Sequence, residues 1–205
     1  MSFNRTAAPQ QPFSTLRRFA RPQTVKVERC ELCGAPLPAA HDHLLPADRR
    51  ELLCACTACA LLFARDEAVR YRRVPRRVER LTDFQLSDAQ WDALGLPINL
   101  AFFYESSQSE RVVAVYPSPA GPTESLAPID AWQEIVAANR SLTDMPADIE
   151  ALLVNRLGET RDYYRVSIDK CYELIGLVRL HWRGLSGGRE VWQQVAQYFQ
   201  QLNRE

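Results

Sequence analysis

Five of the chain's six cysteines fall between residues 30 and 59. They read Cys30-Glu31-Leu32-Cys33-Gly34 and Cys54-Ala55-Cys56-Thr57-Ala58-Cys59. Two C-x-x-C pairs separated by about one small hairpin are the ligand set of a tetrahedral thiolate metal site. The reason is reach. A tight turn aims the sulfurs of i and i+3 at one point, and Gly34 relieves the backbone after the first pair. A second knuckle at Cys56 and Cys59 completes four ligands at ~2.3 Å from zinc. Such a site folds a segment too short to bury enough apolar surface by itself.

More candidate ligands are present than the site needs. On a strand, Cys54 faces the same side as Cys56, so it either replaces Cys56 as a ligand or stays a buried thiol. His41 and His43 lie in the intervening segment, where either can serve as a fourth ligand or orient one; the plainer reading makes both surface or strand residues. Zinc is preferred to iron, because only the first pair ends in the glycine that shields thiolate-bound iron. A rubredoxin-like single iron is the alternative, and an iron–sulfur cluster lacks a familiar spacing. Four protein ligands leave no position for water, so the zinc is structural.

Other signals yield to simpler readings. Gly184-Leu185-Ser186-Gly187-Gly188 matches the G-x-S-x-G pattern of a nucleophile elbow, but a helix precedes it and no histidine comes after it. It reads as a helix–helix turn. Residues 118–125 lack the lysine of a phosphate loop and form a proline-stiffened connection. Glu124 and Asp130 read as helix-start acids. Cys171 is expected to be a buried, unreactive thiol and His181 to end a helix. Six arginines occupy residues 70–80 around Tyr71. They could track a phosphate backbone. Docking on acidic side chains is the simpler role, and Arg72, Arg73, Arg76 and Arg77 are the candidates for it.

The elements that position these groups are read from periodicity. Residues 1–25 are rich in Gln, Pro and Arg and read as a flexible arm. Residues 26–66 form the cysteine module, with a hairpin turning through residues 46–50. Pro75 limits the arginine run to an edge strand or extended linker. Ser87 caps a short helix that ends at Gly95. Residues 98–104 and 111–116 form a hairpin, and residues 117–122, with three prolines, form a loop. Ile129, Trp132, Ile135 and Val136 mark a helix. Residues 151–155 and 163–168 form a second strand pair, and Asp169 caps an apolar helix. Val191, Trp192, Val195, Tyr198, Phe199 and Leu202 face one side of the last helix. This order predicts an α+β fold: a small zinc-ribbon-like module, then an antiparallel sheet covered by helices over residues 67–205.

Composition sets the limits. A chain of 205 residues with 46% hydrophobic residues can build one ordinary core and a small satellite. No N-terminal apolar stretch suggests a signal peptide, and no run is long enough to span a membrane. A cytoplasmic protein with metal-bound rather than disulfide-bonded cysteines is expected. Net charge is zero, with 25 basic and 25 acidic side chains. The halves differ: residues 1–80 carry 15 basic against 8 acidic groups, or +7, and residues 81–205 carry 10 against 17, or −7. Segments of opposite sign can dock on each other or meet different partners.

Several stretches together resemble an uncharacterised bacterial family, domain of unknown function 5947. They are Arg29-Cys30-Glu31-Leu32-Cys33-Gly34, Glu51-Leu52-Leu53-Cys54-Ala55-Cys56, Tyr116-Pro117-Ser118-Pro119-Ala120-Gly121, Leu153-Val154-Asn155-Arg156 and residues 181–188. The likeness runs from about residue 16 to residue 200. It implies no catalytic residues. It implies an accessory or assembly partner for a nickel–iron hydrogenase, because the family's genes tend to lie beside those of such enzymes and their maturation proteins. The expectation is therefore a non-enzymatic, protein-binding accessory factor. The alternative is an iron electron carrier serving a hydrogenase.

Overall fold

Two strands, Leu100–Ser106 (β5) and Glu150–Asn155 (β8), form the centre of the fold, and apart from Glu105 their residues are buried on both faces. Successive side chains on a strand point to opposite sides. Leu100, Phe102 and Tyr104 with Ala151 and Leu153 enter one core; Ala101 and Phe103 with Leu152 and Val154 enter another. An apolar run without alternation is what a strand needs when both faces are covered. A computed structural model of the chain describes residues 27–47, 51–64, 70–184 and 187–204. The arm at residues 1–25 and Ser186 lie outside these. Among the described residues, no helix is long and apolar enough to cross a membrane.

The chain starts with a three-stranded antiparallel sheet of Asp42–Pro46 (β1), Leu53–Ala55 (β2) and Tyr71–Arg73 (β3), in the order β2-β1-β3. The helix Thr57–Phe63 (α1) comes directly after β2. The expected pairing of β1 with β2 is present, residues 48–50 of its turn lie outside the described residues, and the small sheet takes its third strand from beyond residue 66.

The larger sheet adds Val78–Arg80 (β4), Arg111–Ser118 (β6), Gly121–Leu126 (β7) and Asp162–Ser167 (β9), in the order β4-β9-β8-β5-β6-β7. Every pairing is antiparallel. Asp88–Ala93 (α2) and Ile129–Ala138 (α3) cover one face, where Phe103 stacks on Trp132 with ring centroids 5.2 Å apart. Ile168–His181 (α4) and Gly188–Leu202 (α5) cover the other. The fold is mixed α+β.

Three local expectations are corrected. Residues 117–122 are not a loop: Pro117 pairs with Pro122 and Ser118 with Gly121 in the β6–β7 hairpin. Proline is tolerated because β7 is an edge strand, and Pro117 lies past the last β6 residue paired with β5. Glu124 sits in β7 rather than at a helix start, while Asp130 is in the first turn of α3. Asp169 is not the cap of α4. Ser167 holds that position, and Asp169 lies in the first turn.

Candidate metal centre

Residues 28–37 fold as a tight knuckle. Arg29 bridges to Pro36, the Cys30 amide donates to the Ala35 carbonyl at 2.8 Å, and the Gly34 amide donates to the Cys30 carbonyl at 2.7 Å. Gly34 has φ +76°, in the left-handed region where a side chain is disfavoured.

The second pair departs from expectation. Cys56 and Cys59 do not form another knuckle; they open a helix. Cys56 is the N-cap of α1, and its Sγ accepts the Cys59 amide at 3.5 Å. The spacing i, i+3 suits a turn and a helix equally. No glycine comes after Cys59, so Ala58, Ala60, Leu61 and Leu62 carry the chain on as helix.

The sulfurs of Cys30, Cys33, Cys56 and Cys59 lie within 4.8 Å of one another. Those of Cys33 and Cys56 are 3.8 Å apart, and a tetrahedron with ~2.3 Å bonds has edges of ~3.8 Å. Glu31 holds the two pairs together. Its amide donates to the Cys54 carbonyl at 2.9 Å, and its carboxylate accepts the Cys54 amide at 2.6 Å. Burial works to raise the Cys30 thiol, yet hydrogen bonds from the Cys56, Leu32 and Cys33 backbone hold it down to about 6. Cys59 is pushed up to about 12 by burial and by the neighbouring thiols of Cys56, Cys33 and Cys30. One thiolate thus forms readily and opposes the rest. A divalent cation at the centre removes that opposition, because four thiolates then face a positive charge instead of one another.

Cys54 and His43 do not join this set. Strand β2 ends at Ala55, so Cys54 and Cys56 diverge instead of sharing a face. Cys54 pairs opposite His43 of β1, and together with His41 it forms a second group whose candidate ligand atoms also lie within 4.8 Å. Burial, then the Glu31 and Glu28 carboxylates, push the Cys54 thiol above its ordinary value. Both groups can hold a metal ion. The sequence carried half of the signal for the second one, the alternating His41-x-His43; that Cys54 stands opposite is a matter of strand register.

The four arginines all find acids within the chain. Arg72 donates to Asp148 at 2.9 Å and to the Ala147 carbonyl at 3.1 Å; Arg77 lies 3.4 Å from Glu150. Arg73 donates to Asp42 at 2.8 Å, and Arg76 lies 3.7 Å from it. Asp42 is almost wholly buried. Burial works to raise its carboxyl, but Arg73, Thr57 and Arg76 outweigh burial and hold it below the usual range. Elsewhere, His181 pairs with Glu190 at 2.9 Å, and Cys171 is buried, its thiol well above the ordinary value because of burial. Among the described residues, the element before Ser186 is the helix α4, ending at His181, and not a strand.

The profile of a family described as "Family of unknown function (DUF5947)" matches residues 29–205, from the first knuckle onward. The chain belongs to this family. No curated protein and no solved structure matches the chain. Membership carries no assigned activity.

Proposed function

We propose that the protein is a non-enzymatic accessory factor whose cysteine module, residues 26–66, is folded around a structural zinc ion and presents a surface to another protein. One observation carries this reading. The four sulfurs converge on a small buried cluster that, among the described residues, consists of Cys30, Leu37, Leu44, Ala55, Cys59 and Ala60, with Leu32, Leu53 and Tyr71 partly buried against it. Two leucines and two alanines give such a module little apolar burial, and the other two core residues are thiols. Ligand bonds supply what the core lacks. A closed four-thiolate set gives zinc a folding role and leaves no position for a substrate.

Protein binding is supported by α1, which exposes Leu61, Leu62 and Phe63 in succession. The client, on the family resemblance, is a nickel–iron hydrogenase subunit or a protein of its maturation. Cytoplasmic location belongs to the same reading. A second reading is favoured by the exposure of Cys33: the same thiolates hold iron, and a sulfur at the surface gives electrons a short path to a partner.

Metal analysis of natively purified protein separates the two. Zinc at about one chelator-resistant ion per chain is expected, with Cys30→Ser or Cys59→Ser losing it and unfolding the module. Stoichiometric iron with a visible thiolate spectrum replaces the first reading with the second. Affinity purification from the native host, with identification of co-purifying chains, tests the client. Recovery of no hydrogenase component would refute that part.

A further inference from the structure

Two histidines and a cysteine on one face of the β1–β2 hairpin form an arrangement that the four thiolates do not use. Side chains two apart on a strand share a face, as does the residue directly opposite on the neighbouring strand. His41 immediately precedes β1, His43 lies within it, and Cys54 stands opposite His43. A ring nitrogen of each histidine and Cys54 Sγ lie within 4.8 Å of one another.

Hydrogen bonding decides which nitrogens are on offer. His41 Nδ1–H donates to the Pro38 carbonyl at 3.0 Å, and His43 Nδ1–H donates to Asp169 Oδ2 at 2.9 Å. Neither a carbonyl nor a carboxylate oxygen can donate. In its neutral form each ring therefore carries its proton on Nδ1 and a lone pair on Nε2. His41 Nε2 is buried without a hydrogen-bond partner, in a side chain only 6% exposed. A buried lone pair facing no donor costs stability unless something binds it. Asp169, reaching from α4, stands in the relation to His43 that a carboxylate takes when it orients a metal-binding imidazole.

We propose that His41 Nε2, His43 Nε2 and Cys54 Sγ form a second metal site, specific for a zinc-like divalent cation, with its fourth coordination position open to water or a small anion. Two imidazoles and a thiolate suit zinc and not a hard cation. Three protein ligands leave one position of a tetrahedron free. A cavity of about 840 Å³ borders His41 and His43, and its wall carries Arg76, Arg77 and Lys170 beside Asp169 and Glu173. Donor atoms around tetrahedral zinc stand ~3.3–3.8 Å apart, so small side-chain rotations close the set. Binding releases the Cys54 thiol proton to solvent and transfers no electron. The site stands independently of the four-thiolate reading.

The test titrates the full-length chain, already loaded with zinc at the four thiolates, with cobalt(II). About one further equivalent is expected, with a thiolate charge-transfer band and tetrahedral d–d bands that azide shifts. Cys54→Ser and His41→Gln should each lose that equivalent while retaining the first zinc and the circular dichroism of the parent. Asp169→Asn removes no ligand but weakens the acceptor that orients His43; it should weaken cobalt binding by ~10–100-fold and leave the band energies unchanged. No second equivalent in the parent, or one that persists in Cys54→Ser, overturns the site. Should Cys54→Ser also lose its first zinc, parent-like cobalt affinity in Asp169→Asn is the result that overturns it. Bands indifferent to azide overturn the open position.

Discussion

At the scale of single residues, two cysteines separated only by Ala55 have separate fates. Cys56 stands at the N-terminus of α1, where its sulfur receives a backbone hydrogen bond and meets three other thiols. Cys54, two residues earlier, faces the histidines. Cys56→Ser should therefore abolish the tightly held zinc, and Cys54→Ser should keep it. Metal content after exhaustive dialysis against a chelator reads the difference, and zinc loss in Cys54→Ser alone would reverse the ligand list. Gly34 offers a second residue-scale expectation. An L-residue at its φ of +76° is strained, and Gly34→Ala should cost about 1–2 kcal/mol. Thermal or denaturant unfolding of the zinc-loaded chain measures that cost.

At the scale of elements, the arginine run joins the two sheets. It supplies β3 to the small sheet and β4 to the large one, and Pro75 lies between them. Val74 enters the core of the large sheet while its amide donates to the His43 carbonyl at 3.0 Å. The ion pairs along this run are unequal. Arg72 is 40% exposed, and its pair with Asp148 should contribute about 0.2–1 kcal/mol and weaken with salt. Asp42 is 1% exposed, so removing both arginines leaves its carboxylate in the interior with the Thr57 hydroxyl but without its cations. Arg73→Gln with Arg76→Gln should cost about 2–4 kcal/mol, and Asp42→Asn in that background should recover part of it. A double-mutant cycle read by urea unfolding measures this coupling. Additive effects would show that the pair does not hold the elements together. In the same backgrounds, affinity for a co-purifying protein tests whether these arginines also meet a partner.

For the whole molecule, the large sheet keeps two ionisable groups neutral. Burial raises the Cys171 thiol well above its ordinary 9.0, and burial, then Asp162, raises the Tyr164 phenol above 10.0. A group bound more tightly to its proton in the folded state contributes stability that is complete below its ordinary value. That contribution is lost as pH rises from there through the folded value. Stability should accordingly fall above about pH 9, and Cys171→Ala should flatten the decline even if it lowers stability at neutral pH. Urea midpoints between neutral and alkaline pH provide the check. Parallel declines in parent and variant would assign the alkaline limb to other groups. Tyr164→Phe should act similarly at higher pH, with the added loss of the 2.9 Å hydrogen bond to Asn203.

The sequence by itself determined what depends on near neighbours along the chain. The i, i+3 cysteines with Gly34, the capping serine at Ser87 with Gln90 three residues on, and the apolar faces of α4 and α5 are all local patterns. Each maps onto a turn or helix whose hydrogen bonds close within a few residues. The β5–β6 and β8–β9 hairpins were legible for the same reason. Tertiary structure decided the rest. Whether prolines at 117 and 122 can sit in strands depends on β7 having no neighbour on its outer side, which no local pattern states. Whether the second cysteine pair forms a knuckle or opens a helix depends on the residues after Cys59 and on the space beside β1. The His41, His43 and Cys54 group needs the register of β1 against β2, and its Asp169 contact comes from 126 residues beyond His43. Strand pairing and long-range contacts bring together residues that the linear order keeps apart, so metal-binding chemistry assembled across strands becomes visible only once the chain has folded.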